Sequence, residues 1–186
     1  MNKFLTVLFS ALFLVVSAVA SGQNNKVAPK EDFYKLSFKT ITGEKFDFST
    51  LKGKKVLIVN TASKCGYTPQ FKELEELNVK YGNNLVILGF PSNDFMNQDP
   101  GSNDEILAFC EENYGVTFTM MDKSSVKGDK KNNVFKWLTD KSKNGWNEKE
   151  PSWNFNKYLI DENGILIEHF ASKVKPLSEE ITSKLK

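Results

Sequence analysis

Two continuous apolar runs, Val56-Leu57-Ile58-Val59-Asn60 and Asn84-Leu85-Val86-Ile87-Leu88-Gly89-Phe90, flank a proline-led segment over residues 69–81. Runs without polar alternation belong in a sheet covered on both faces, and such sheets are built mainly from parallel strands. Between them Phe71, Leu74, Leu77 and Tyr81 recur at helical spacing, while Glu73, Glu75 and Lys80 fall on the opposite face. That pattern predicts an amphipathic helix, and Gly82 supplies its end. Strand, helix and strand in this order form a right-handed βαβ unit with its strands parallel.

The other elements fit around that unit. A short hairpin is predicted over residues 33–38 and 45–48, turning at Thr42-Gly43. Ser102 followed three residues on by Glu105 makes a capping box for a second helix that Gly115 closes. A strand over 116–120, a helix over 132–142, a hairpin pairing 158–160 with 165–167 around Asn163-Gly164, and a short helix from Ser178 complete the chain. A βαβ half followed by an antiparallel hairpin and a helix is a thioredoxin-like arrangement. The predicted class is α/β, a central mixed sheet flanked by helices, with a β-hairpin at its N-terminal end. Residues 31–186 form one domain without repeats, and 123–133 and 141–151 are surface connections.

The first twenty residues hold one charged residue, Lys3, then an apolar stretch, then Ser17-Ala18-Val19-Ala20. This is the pattern of a secretory signal peptide with a small-residue cleavage site. Its strongly apolar core is shorter than the roughly 20 residues that a spanning helix needs. Cleavage near Ala20 leaves a polar leader over 21–30 and an exported protein, periplasmic or secreted. The signal peptide carries one lysine and no acid, so the remaining chain is one charge less positive than the net +2 of the whole. Nothing here advertises a nucleic-acid surface. Export and an even cysteine count ordinarily point to a structural disulfide. This chain, 40% hydrophobic with fifteen phenylalanines, has core enough without one.

Cys65 lies between the first apolar strand and the proline-led helix. The first N–H groups of a helix lack intrahelical partners, so positive potential gathers where a thiolate would sit. A cysteine of ordinary pKa, roughly 8.5, is only about 3% thiolate at neutral pH. Ionisation alone can therefore raise reactivity by about thirtyfold at most, less what a weakly basic sulfur loses as a nucleophile. Positioned hydrogen-bond donors can add about 10²- to 10⁴-fold.

The residues around this cysteine, Asn60-Thr61-Ala62-Ser63-Lys64-Cys65-Gly66-Tyr67-Thr68-Pro69-Gln70-Phe71, resemble the active-site segment of the glutathione peroxidase family, with cysteine where some members carry selenocysteine. Phe90-Pro91-Ser92-Asn93-Asp94-Phe95-Met96-Asn97-Gln98-Asp99-Pro100-Gly101 is similar to the family's second signature, and Ser152-Trp153-Asn154-Phe155-Asn156-Lys157 to its third. The resemblance runs from about Phe33 to the C-terminus. It implies that Gln98, Trp153 and Asn154 are the uncharged donors that serve the Cys65 thiolate during peroxide reduction. One departure stands in the second signature: where members commonly read Asn-Gln-Phe-Gly, this chain has Asn93-Asp94-Phe95-Met96, which puts the loop delivering Gln98 in question.

Cys110 matches the resolving cysteine of thioredoxin-dependent members. The resemblance thus implies a thiol peroxidase: Cys65 becomes a sulfenic acid, Cys110 condenses with it, and a thioredoxin-like protein reduces the disulfide. Cys110 also shares an apolar helix face with Ile106 and Phe109, where a free cysteine packs well; its place near the last turn, where a helix can fray, favours the resolving role. No cofactor or metal site is expected, because His169 is the only histidine and reads as a partly exposed strand residue. The partners implied are a peroxide and a thioredoxin-like reductant or glutathione, with membranes relevant only as a source of lipid hydroperoxides. The short connection before Trp153 implies a monomer. The competing reading is a peroxide sensor that relays oxidation to a partner protein.

Overall fold

The computed structural model describes residues 28–186; the expected signal peptide and the leader through residue 27 lie outside the described residues. A five-stranded sheet in the order β5-β4-β3-β6-β7 forms the centre. β3 (Lys55–Thr61) pairs in parallel with β4 (Leu85–Pro91), and β5 (Thr119–Met120) joins β4, also in parallel. On the other side β6 (Lys157–Ile160) runs antiparallel to β3, with Val59 opposite Lys157, and β7 (Leu166–Phe170) closes the sheet. The mixed α/β sheet expected from the sequence is therefore present, with the βαβ unit at its heart. A separate hairpin, β1 (Ser37–Lys39) and β2 (Lys45–Asp47), precedes it.

The two apolar runs need both faces covered, and each face has its own core. Leu57, Val59 and Ile87 point to one side, against Phe71, Leu74 and Leu77 of α1 (Gln70–Tyr81) and Ile106 and Cys110 of α2 (Asn103–Tyr114). Val56, Ile58, Leu88 and Phe90 point to the other, against Phe33, Phe48 and Val134, Phe135, Trp137 and Leu138 of α3 (Asn133–Leu138). The alternation along β3 is the period-two geometry of a strand. The last helix, α5 (Glu179–Thr182), places Ile181 in the first core.

Several predicted boundaries move, each for a local reason. Residues 33–35 form a 3-10 turn instead of strand because the Asp32 carboxylate accepts from Tyr34 N at 2.9 Å. The predicted strand over 116–120 keeps only two residues, since Val116 N donates to Cys110 O and Thr117 donates through N and Oγ1 to the Glu75 carboxylate. The predicted helix over 132–142 is two helices, α3 and α4 (Lys141–Asn144). They part where the Thr139 hydroxyl donates back to Phe135 O and Asp140 caps the second. Gly82 ends α1 while still right-handed, at φ −55°. Ser102 and Glu105 form the expected capping box, and Gly115 closes α2 in the left-handed region at φ 61°.

Candidate active site

The C-terminal ends of β3 and β4 and the start of β6 meet at one edge of the sheet. Cys65 lies beyond the end of β3 in a tight turn and is 8% exposed. Thr68 holds that turn: its Oγ1 accepts from Cys65 N at 2.9 Å and donates to Ala62 O at 2.9 Å, while its N–H donates to Cys65 O. The hydrogen bond to Cys65 Sγ comes from Tyr67 N at 3.4 Å. The expectation that the helix start supplies the positive potential is met only in this indirect form. The N–H groups of Gln70, Phe71 and Lys72 donate to the carbonyls of Tyr67, Thr68 and Pro69, so the first turn of α1 is already satisfied.

Gln98 arrives on the loop after β4. Met96 and Asn97 both adopt left-handed backbone, at φ 51° and 52°, so the family's glycine stands where the chain turns most tightly. The loop survives its loss through other anchors: Asp94 Oδ2 accepts from Val126 N at 2.7 Å, Lys127 N at 3.1 Å and Ser125 Oγ at 3.0 Å. Gln98 O in turn accepts from Lys64 N at 2.9 Å, tying this loop to the residue beside Cys65.

Asn154 Nδ2 donates to Gln98 Oε1 at 2.9 Å. The bond leaves the Gln98 amide N–H groups without a protein partner among the described residues, and the Trp153 indole N–H is likewise unpaired. Trp153 is half-buried, its ring 5.7 Å from that of Phe95 at 52°. Of the sequence-predicted residues, the structure thus joins Gln98 to Asn154, places Trp153 next to them and ties Gln98 to the Cys65 turn through Lys64. None of the three donates to Sγ itself.

A buried network that the sequence did not announce fixes this arrangement. Asn60 Nδ2 and Asn156 Nδ2 both donate to Trp153 O, Asn60 Oδ1 accepts from Asn156 N, and Ser172 Oγ donates to Asn154 O. Phe155, at φ 61° and fully buried, forces the turn that splays Asn154 and Asn156 apart. His169 Nε2 donates to Asn156 Oδ1 at 3.0 Å, and burial drops its pKa to about 4. Lys157 is fully buried, with Nζ donating to Gln70 Oε1 and to the carbonyls of Ser172 and Val174; burial lowers its pKa to about 7. The one available signal was polarity out of place: Asn60 at the end of an apolar strand and Lys157 within another.

Cys110 is fully buried in the first core, and burial pushes its thiol up to about 12, with the charges of Asp99 and Glu111 adding to the effect. Its end of α2 is secured, because Cys110 O accepts from both Gly115 N and Val116 N. Both cysteines are free thiols. A cavity of ≈ 360 Å³ opens beside the Cys65 turn, lined by Ser63, Lys64, Pro100 and Gly101 and, from α2, by Glu105, Ile106 and Phe109. Among the described residues no cluster of three or more ligating side chains could hold a metal ion.

The nucleophile the fold places at this edge is the Cys65 thiol, with amide, indole and backbone N–H groups around it. Fold and site together define a thiol-dependent oxidoreductase. The chain belongs to the glutathione peroxidase family, whose pattern matches residues 33–139. It is 50% identical over 156 residues to glutathione peroxidase-like peroxiredoxin 2 of Saccharomyces cerevisiae, covering 82% of this chain and 96% of that protein. The apo crystal structure of Trgpx superposes with a TM-score of 0.65 at 36% identity, over 84% of this chain and 94% of that one. A thioredoxin-family thiol:disulfide interchange protein from Chlorobium tepidum shares the fold, at TM-score 0.61 and 13% identity over 86% of this chain and 97% of its own.

Proposed function

We propose that the protein is a thiol peroxidase that reduces hydrogen peroxide and organic hydroperoxides with Cys65 as nucleophile. The thiolate attacks one peroxide oxygen, the O–O bond breaks, and the departing hydroxide or alkoxide takes a proton; Cys65 is left as a sulfenic acid. The observation that carries this reading is the Asn154 to Gln98 hydrogen bond. It holds Gln98 by its side-chain oxygen and leaves the amide N–H groups free among the described residues, while the backbone oxygen of Gln98 is tied to Lys64 beside Cys65. Uncharged donors held in place can stabilise the developing oxyanion without titrating near neutrality.

The second half of the cycle assigns Cys110 as the resolving thiol and a thioredoxin-like dithiol as reductant. Cys110 attacks the sulfenic sulfur, water leaves, and the resulting disulfide is reduced by exchange. The shared core of Cys65 and Cys110 supports this reading, because both thiols pack in the same layer between the sheet and its helices. Export and a monomeric state complete the reading, supported respectively by the apolar N-terminal stretch and the short connection before Trp153.

The test is stoichiometric. Reduced protein lacking residues 1–20 receives one equivalent of hydrogen peroxide, free thiols are counted, and any disulfide is mapped by mass spectrometry. Loss of both thiols into a Cys65 to Cys110 bridge, cleared by thioredoxin with turnover, is the expected result. Oxidation that stops at Cys65 with Cys110 free would remove the resolving role and leave glutathione as the reductant to test.

A further inference from the structure

Asp99 is a fully buried acid next to Gln98, at the end of the loop after β4. Its Oδ1 accepts from Ser63 N at 3.0 Å and from Ser63 Oγ at 2.7 Å, while Oδ2 is buried without a partner. A carboxylate oxygen left dry and unpaired costs stability, so the fold alone does not account for an acid here. The neighbouring hydrogen bond runs the same way: Lys64 N donates to Gln98 O at 2.9 Å. Two successive N–H groups of the Cys65 turn thus reach across to two successive residues of the Gln98 loop.

Each side of this contact is closed on itself. In the turn, Thr68 Oγ1 bridges Cys65 N and Ala62 O, so Ser63 and Cys65 move together. In the loop, Asn93 Oδ1 accepts from Asp99 N at 3.0 Å and Asn93 Nδ2 donates to Asn97 Oδ1 at 3.1 Å. Asn97 and Asp99 are therefore tied to one residue and carry Gln98 between them. We infer that Asp99 is a positioning residue for the peroxide reaction: clamped on Ser63, it sets where the Gln98 amide donor stands relative to the Cys65 thiol. Asn154 fixes the Gln98 side chain from the segment before β6. Asp99 fixes the Gln98 backbone against the nucleophile's own turn. A misplacement of about 1 Å at a reacting site can cost about 10²-fold in rate, so a residue that acts only through Ser63 can still govern the step.

This inference rests on Cys65 being the peroxide nucleophile and Gln98 a donor to it, and its test tells the three apart. Bimolecular oxidation of Cys65 by hydrogen peroxide is followed by stopped flow in the reduced wild type, Asp99→Ala, Asp99→Asn, Gln98→Ala and the double variant Asp99→Ala with Gln98→Ala. Urea midpoints are measured for each. Asp99→Ala is expected to slow oxidation by about tenfold. Asp99→Asn, which keeps an oxygen for both Ser63 donors, stays within about threefold of wild type. In the Gln98→Ala background Asp99→Ala slows the reaction no further, because the group it positions is gone, while the urea midpoint falls in both backgrounds. The same cycle with Ser63→Ala, which removes one of the two donors, gives a smaller loss of about threefold that also vanishes without Gln98, and it replaces Asp99→Ala should that variant not fold. Oxidation at the wild-type rate in Asp99→Ala and Ser63→Ala would overturn the inference. So would a slowing that persists in full without Gln98, which would make Asp99 a brace for the Cys65 turn alone. If Gln98→Ala itself reacts at the wild-type rate, the donor role and the inference fall together; if wild-type Cys65 reacts no faster than free cysteine, the peroxidase reading falls.

Discussion

Asn154 Nδ2 donates to Gln98 Oε1 at 2.9 Å, so two residues from different signatures act as one unit at the edge of the sheet. Removing either partner frees the other to rotate. Asn154→Ala and Gln98→Ala are each expected to slow the bimolecular oxidation of Cys65 by about 10- to 100-fold, and the double variant by little more than the worse single one. Stopped-flow measurement of the peroxide reaction checks this, and fully multiplicative losses would refute the pairing.

Met96 is 78% exposed and left-handed at φ 51°, so its side chain gains little from packing while its backbone is strained. A residue with a Cβ gives up about 1–2 kcal/mol there, against the roughly 0.5–1 kcal/mol of chain entropy that glycine loses on folding. Met96→Gly is expected to leave stability equal or higher by up to about 1 kcal/mol, and Met96→Val to lower it. Urea midpoints of the two variants give the answer directly.

Buried Lys157 titrates near pH 7 in the folded chain, against 10.5 ordinarily. Below about 7 both states carry the proton and the full burial penalty stands; between 7 and 10.5 the unfolded chain binds more protons, so stability rises with pH. Lys157→Met is expected to lose that rise in a pH series of denaturant midpoints, whatever its effect on absolute stability. A slope retained in the variant would place the titration elsewhere.

On the acid side His169 plays the matching part, with a folded value of about 4 against 6.5. Between those values the unfolded chain again binds more protons, so stability falls as pH drops from 6.5 towards 4. His169→Gln, which keeps a donor for Asn156 Oδ1, is expected to flatten this limb. Thermal midpoints at pH 4 to 7 would read it.

Cys110 sits fully buried among apolar side chains. Cys110→Ala is expected to keep the first oxidation of Cys65 within about threefold and to lose thioredoxin-supported turnover, at a stability cost of about 1 kcal/mol. Turnover that persists would show that an external thiol resolves Cys65 directly.

The elements legible in the sequence were those written in periodicity. β3, α1 and β4 follow from two apolar runs and one helical repeat, and the α2 cap follows from Ser102 and Glu105. Cys65, Gln98, Trp153 and Asn154 were named through their signatures. What stayed hidden was polar burial at long range. Lys157 finds Gln70, Asn60 finds Asn156 and Ser172 finds Asn154 only once β3 and β6 pair. Nothing in the sequence marks Asp99 for burial, because its burial comes from tertiary packing. The helix-start field expected at Cys65 was misjudged for another reason: carbonyls within the 67–69 turn had already claimed those N–H groups.

The antiparallel pairing of β3 with β6 joins segments that lie almost a hundred residues apart, since Val59 faces Lys157. Contacts of such separation close late in folding. Until they do, a growing chain presents Cys65 without Trp153 and Asn154: a bare thiol with no donors beside it. Peroxidase activity is therefore a report on completed assembly, and a chain cut before Pro151 would lose catalysis while keeping its cysteines.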